Sequence, residues 1–285
     1  MLMYNIMGLS KEIIINNKYI IKKKVGEGNF GKIFIAKNKY TQEEIAIKID
    51  TNSIILKNEA IMYNYLSDIN GIPKLRAFGK EGKYNFLILD LLGDTLISKR
   101  ERNSNLFKLN YVIAIGIKLI KIISNIHKKN IIHRDIKPDN IMYKNCNENA
   151  DLDLYIIDFG LSKLYDETKK NFVKKENLIV GTANFVSLHA HNGSMPSKRD
   201  DLESIGYVLL YIYYGKLPWN SLIQIDKMDH INNIKKYKEK IIKSISNNII
   251  ILFIKKCNKL KYTDTPDYSS LINLLLNNIS CNKTI

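Results

Sequence analysis

The stretch His133-Arg134-Asp135-Ile136-Lys137-Pro138-Asp139-Asn140 brings a carboxylate, an ammonium group and a carboxamide together within one short loop. Phosphoryl transfer asks for a carboxylate that accepts or orients a hydroxyl proton, a cation on the terminal phosphate, and an oxygen ligand for Mg2+. Asp135, Lys137 and Asn140 supply these in that order. His133 reads as a packed, hydrogen-bonded anchor, and Arg134 either as the partner of a local acid or as a residue with no specific task. Downstream, the apolar run 154–157 ends in Asp158-Phe159-Gly160. A carboxylate held at a strand end, just before a glycine, is well placed for a metal. Alone this tripeptide carries little information; behind the 133–140 loop it carries a great deal.

Two further clusters lie upstream. Gly26-Glu27-Gly28-Asn29-Phe30-Gly31 has the spacing of a loop that approaches phosphates, because glycines admit a close backbone and positive φ. In a dinucleotide-binding fold such glycines open a helix. Here 32–36 alternates like a strand, which points to a hairpin lid over nucleotide phosphates, with a purely structural hairpin as the other reading. Ile45-Ala46-Ile47-Lys48 ends an apolar strand on a lysine, whose burial is costly unless it meets an anion. Phosphate oxygens and the carboxylate of Glu59, on the following helix, would both serve; a solvated strand-end lysine is the alternative.

The elements that must position these groups change character along the chain. Segments 19–25, 32–37, 44–49, 75–79 and 85–89 read as strands, and 44–49 alternates polar and apolar residues. Among them 58–66 has helical spacing, with Ile61, Met62, Tyr65 and Leu66 on one face. Beyond Gly93 the pattern is helical: 111–128, with Ile115, Leu119, Ile122, Ile123 and Ile126 in register, then 202–214, then 232–278 with a break at Pro266. A small strand-rich part therefore precedes a larger helical part, with a hinge expected at 90–93. No repeats occur, and 144–150 reads as an exposed loop.

The chain has 285 residues, 45% of them hydrophobic, enough for one large domain or two lobes. No run of 18 apolar residues marks a membrane span, and no basic segment followed by a long apolar one marks a secretory signal. Cys146, Cys257 and Cys281 are odd in number and lack ligand spacing, as expected of reduced thiols. The formal charge of +16 attracts acidic protein segments or nucleic acid. It is spread in short lysine groups without a polybasic block, stacking motif or zinc spacing, so nucleic acid has no motif behind it. His189 and His191 have no third ligand nearby, and no Gly-x-Ser-x-Gly elbow occurs, which removes zinc hydrolases and serine esterases.

With all four motifs in this order, the chain resembles the eukaryotic protein kinase superfamily across about residues 19–276. It looks most like the casein kinase 1 group. Leu91-Leu92-Gly93-Asp94-Thr95-Leu96 carries this narrower likeness, as does Gly181-Thr182-Ala183 leading into Ser187-Leu188-His189, where the group has Ser-Ile-Asn and most kinases Ala-Pro-Glu. So do Ser197-Lys198-Arg199-Asp200-Asp201-Leu202-Glu203, Leu217-Pro218-Trp219 and Thr265-Pro266-Asp267-Tyr268. Kinases of the vaccinia-related group and of large DNA viruses share the divergent stretch after Gly181.

The resemblance implies an α+β, two-lobed kinase fold: an extension over 1–18, a β-rich N-lobe over 19–89, a hinge at 90–93 and a helical C-lobe over 94–285. It implies ATP and Mg2+ as cofactors and protein serine or threonine as the acceptor, since Lys137 is the residue serine/threonine kinases carry. Adenine would meet the backbone of Asp90 and Leu92, with Leu89 as gatekeeper and Val25, Ile33 and Ala46 lining an apolar slot. Gly26, Gly28 and Gly31 would cover the phosphates, Lys48 would reach them while paired with Glu59, and Asn140 and Asp158 would hold Mg2+. Thr182 would bond near Asp135 and Lys137, and Asp201 would brace the catalytic loop.

One departure concerns recognition. Asn184 stands where casein kinase 1 members have an arginine that helps bind a phosphate already on the substrate; Lys198 and Arg199 would still favour acidic sequences. Activity without activation-loop phosphorylation is expected, because 158–181 frames no clear phosphosite. An intracellular location, cytoplasmic or nuclear, is expected as well. The alternative from another class is a pseudokinase scaffold that binds partners without catalysis; the intact Lys48, Asp135, Asn140 and Asp158 argue against it.

Overall fold

The computed structural model describes residues 12–28, 31–51, 53–102, 107–144, 152–166, 168, 179–220 and 227–281. The expected loop at 144–150 lies outside them except for Lys144, as do residues 167 and 169–178 of the stretch 158–181. The chain divides into two compact units. One comprises Met1–Asp68, Ile72–Gly93 and Asp158–Gly160; the other comprises Ile69–Gly71, Asp94–Ile157 and Leu161–Ile285.

The first unit is built on a six-stranded antiparallel sheet of β1 (Ile14–Ile15), β2 (Tyr19–Gly28), β3 (Gly31–Asn38), β4 (Glu44–Asp50), β5 (Leu75–Glu81) and β6 (Tyr84–Asp90), in the order β1-β2-β3-β4-β6-β5. Alternation decides its faces. Phe34, Ala36, Ile45, Ile47, Ile49, Phe86 and Ile88 form the core with Ile15 and Tyr19, while Ile33, Ala46 and Lys48 point the other way and stay half-buried. Gly31 closes the β2–β3 hairpin at φ 111°, where an added Cβ would stand 2.5 Å from the Ile49 carbonyl oxygen. Only glycine fits there.

The helix α1 (Ser53–Tyr65) corrects one expectation. Its inward face is Leu56, Glu59, Ala60 and Tyr63, all buried, whereas Ile61 and Tyr65 are 52% and 51% exposed. Of the face expected from apolar periodicity, Leu66 is buried and Met62 half-buried, but Ile61 and Tyr65 are not, because the inward face carries a carboxylate.

The second unit is mostly helical: α2 (Leu96–Arg102), α3 (Leu109–Lys128), α4 (Leu188–His191), α5 (Lys198–Tyr214), α6 (Lys227–Lys243), α7 (Ile249–Asn258) and α8 (Tyr268–Cys281). Two short antiparallel pairs accompany them, β7 (Ile131–Ile132) with β10 (Lys163–Leu164) and β8 (Ile141–Tyr143) with β9 (Leu154–Ile156). Among the described residues α3 alone is long and apolar enough to cross a membrane, but half of it is buried in the unit. It packs on α5 and α8, and Ile115, Leu119, Ile122, Ile123 and Ile126 are all buried. The 232–278 region breaks twice rather than once. The additional break ends at Asn248, whose Oδ1 accepts from the amides of Ile250 and Ile251 at 2.9 and 3.2 Å, an N-cap that starts α7. Cys257 is a buried free thiol.

Candidate active site

In the first unit the sheet register assembles one set of groups. Gly26 pairs with Ile33, Ile33 with Lys48, and Ala46 with Leu89. The row Gly26–Ile33–Lys48 and its neighbour Ala46–Leu89 thus lie on the face that the core does not use. Val25, next to Gly26, is 50% exposed, and Gly28 pairs with Gly31 at the hairpin end. Asp90 ends β6; its amide donates to the Lys74 carbonyl at 3.2 Å, and its carboxylate binds Arg76. Leu92 follows, half-buried.

Lys48 does not end in solvent. Its Nζ lies 2.8 Å from Glu59 Oε2 and 3.0 Å from Asp158 Oδ1. Burial acts to lower the amine's pKa, but the charges of Glu59 and then Asp158 outweigh it and the pKa is raised. Glu59 responds differently: its burial pushes the carboxyl up to about 7 despite Lys48. The lysine therefore keeps its charge, and the glutamate is the member of the pair that titrates near neutrality.

Asp158 sits at φ 65°, a conformation a non-glycine residue adopts only when its surroundings impose it. The hold is visible: its amide donates to the hydroxyl of Tyr63 at 2.9 Å, and the Tyr63 ring packs edge-on against Phe159 at 5.1 Å. Tyr63 escaped the reading of the sequence. The available signal was its position four residues after Glu59, hence on the same helix face.

The second unit carries the other set. Asp135 Oδ1 accepts from the amide and the hydroxyl of Thr182 at 3.0 and 2.8 Å. Its Oδ2 faces Lys137 Nζ at 2.8 Å and accepts from Asn140 Nδ2 at 3.1 Å. Lys137 Nζ also donates to Thr182 Oγ1 at 3.0 Å. Burial acts to raise the Asp135 pKa; the bond and charge of Lys137 and the Thr182 hydroxyl override it and hold the carboxyl below its ordinary value. At neutral pH Asp135 is a carboxylate.

The loop that bears Asp135 is pinned from α5. Asp201, buried, accepts from the amides of His133 at 2.7 Å and Arg134 at 2.9 Å, and its Oδ2 lies 2.9 Å from His127 Nε2. Arg134 has φ 71°, and its bonded amide is what holds that strained turn. Its guanidinium donates to the Leu161 carbonyl. His133 is an anchor: fully buried, with Nε2 3.0 Å from the Ile157 carbonyl oxygen. His127 was a second omission, an apparently ordinary core histidine in α3.

Each set of donors, taken by itself, has the chemistry that a magnesium nucleotide would need. The Asn140 amide nitrogen is committed to Asp135, also through its carbonyl oxygen at 2.9 Å, which would turn the carboxamide oxygen to a metal if one were bound. Asp158 presents a carboxylate of which only Oδ1 is engaged by Lys48. Hard oxygen donors of this kind suit Mg2+. At Gly26 an added Cβ would make only ordinary contacts with Ile33, nearest atom 3.6 Å, so folding alone does not demand glycine there. Close approach of a phosphate would.

A carboxylate-held lysine in the strand-rich unit, and a pinned aspartate beside a lysine in the helical unit, are groups of the kind that phosphoryl transfer from a nucleotide asks for. A family model of the protein kinase domain matches residues 19–276, and the chain belongs to that family. Its fold is the α+β protein kinase fold, with a β-rich N-terminal part and a helical C-terminal part.

Proposed function

We propose that this kinase transfers the γ-phosphate of ATP to serine and threonine hydroxyls of proteins, as a casein kinase 1-like enzyme. The observation that carries the reading is the closed triangle of Asp135, Lys137 and Thr182. A carboxylate kept ionised by an adjacent lysine is suited to orient a hydroxyl, and the same lysine offers its charge to the phosphate under transfer.

Lys48, charged and held by Glu59, would grip the α- and β-phosphates. Adenine would take the Asp90 carbonyl, whose amide partner is already spoken for, and the Leu92 backbone, above Val25, Ile33, Ala46 and Leu89. Asp158 and Asn140 would hold Mg2+, which when bound supplies positive charge to the phosphate oxygens. Asp135 accepts the hydroxyl hydrogen as the oxygen attacks the γ-phosphorus and the bond to the β-phosphate oxygen breaks.

The narrower assignment rests on the Gly181-Thr182-Ala183 to Ser187 stretch and on Ser197–Glu203. Lys198 and Arg199, expected to favour acidic sequences, are buried, which leaves that preference to the +16 charge of the chain; with Asn184 replacing an arginine, we propose that prior phosphorylation of the substrate is not required. An intracellular site of action, in cytoplasm or nucleus, belongs to the same proposal. The test is incubation with γ-labelled ATP, Mg2+ and casein, followed by phosphoamino-acid analysis. Phosphoserine or phosphothreonine from the wild type but not from Asp158→Ala supports the reading; phosphotyrosine, or no transfer despite measurable magnesium–ATP binding, overturns it.

A further inference from the structure

Lys238 of α6 is fully buried, although among the described residues no carboxylate bonds to it. Its Nζ donates to the carbonyls of Ala183 at 3.0 Å and Val186 at 2.6 Å, and lies 3.1 Å from His191 Nε2. The rings of Tyr207 and Trp219 close over it at 4.5 and 5.1 Å. Burial drives the amine's pKa far below the ordinary lysine value, with only Glu203 acting against it. Keeping a lysine amine in such a place is expensive. An apolar residue of similar length would fill the space at less cost, so the amine is retained for the bonds it makes.

Those bonds end on one short strap. Residues 182–186 form a turn in which the amides of Phe185 and Val186 donate to the Thr182 carbonyl at 2.8 and 3.1 Å. Lys238 takes the carbonyls of Ala183 and Val186 in the same turn, on either side of Asn184. Glu203 secures the end of the strap, its Oε1 accepting from the Leu188 amide at 2.6 Å and from the Tyr207 hydroxyl at 2.7 Å. The other end is Thr182, bonded to Asp135 and Lys137. A polypeptide that presents a hydroxyl to Asp135 must run beside this strap. We infer that Lys238 is a positioning residue for the protein substrate: it locks the 182–188 strap in the shape that places Thr182 on Asp135 and sets the edge of the acceptor site.

The inference rests on the serine/threonine kinase reading, and its test separates the two. Lys238→Met removes both donated bonds and keeps the apolar stem under Tyr207 and Trp219. Steady-state kinetics with a serine peptide should show the peptide KM rising about tenfold, the size expected for lost buried hydrogen bonds, with the KM for ATP nearly unchanged. Amide hydrogen exchange should quicken within 182–188 and stay as in the wild type across α5 and α7. A peptide KM that does not move in an active enzyme overturns the inference, as does exchange rising throughout the unit or loss of a cooperative melt, because each marks a lysine that only supports the fold. If the wild type phosphorylates no serine or threonine peptide, the functional reading fails, and the exchange pattern still decides whether Lys238 holds the strap.

Discussion

Replacing Asp201 with alanine would strip three buried donors of their acceptor at once: the amides of His133 and Arg134 and His127 Nε2. A buried donor left without a partner costs about 1–3 kcal/mol. Three would sum to more, but the loop regains freedom, since Arg134 no longer has to hold φ 71°. The expected net loss is about 3–5 kcal/mol, a large share of the 5–15 kcal/mol typical of a folded domain. Urea unfolding followed by the fluorescence of Trp219 is the assay. It is the only tryptophan in the chain and is fully buried within the same unit, so its signal reports that unit. Asp201→Asn, which keeps the shape but turns one oxygen into a donor facing other donors, should lose less than alanine and more than nothing. A loss below about 1 kcal/mol for Asp201→Ala would refute the claim that this carboxylate pins the loop.

Other expectations follow from particular groups. Glu59 has its pKa raised from 4.5 to about 7 in the folded state, so between those values the folded chain binds more protons than the unfolded one. Its contribution to stability is therefore full below pH 4.5 and is lost as pH rises through 7, by about 3 kcal/mol. In metal-free buffer, Glu59→Gln should flatten the urea midpoint between pH 4.5 and 8; an unaltered slope would contradict the assignment. At Gly181, φ is 99° and an added Cβ would stand 2.5 Å from the Arg134 carbonyl oxygen. Gly181→Ala should thus cost about 1–3 kcal/mol in the same melt and displace Thr182 from Asp135, with a matching fall in kcat. Protein produced in bacteria and treated with phosphatase should be active; a requirement for an upstream kinase would contradict that.

The groups proposed to do chemistry were legible where they are neighbours in sequence. The 133–140 loop folds as a unit, so residue types at fixed spacing already define Asp135, Lys137 and Asn140 as a set. Lys48 and Glu59 were legible as a lysine in need of an anion and the nearest helical carboxylate, and the structure brings them to 2.8 Å. Tyr63, His127, Glu203 and Lys238 were not, because each acts on a group distant in sequence and nothing local distinguishes it from a core residue. Misjudging the face of α1 has a related cause. Hydrophobic periodicity counts Glu59 as a polar, outward position, yet it is 1% exposed because Lys48 meets it there. Polar residues at functional sites invert the pattern that otherwise predicts burial.

The central claim is that Asp135 orients the acceptor hydroxyl. It is tested most directly by Asp135→Asn, which keeps the shape of the side chain and removes its charge. Phosphoryl transfer from γ-labelled ATP to casein and the binding of magnesium–ATP would be measured side by side for variant and wild type. Turnover should fall by about a thousandfold or more, as expected when the residue that acts only in the transition state is lost, while nucleotide affinity changes little. Turnover like that of the wild type in a folded, ATP-binding Asp135→Asn protein would contradict the account.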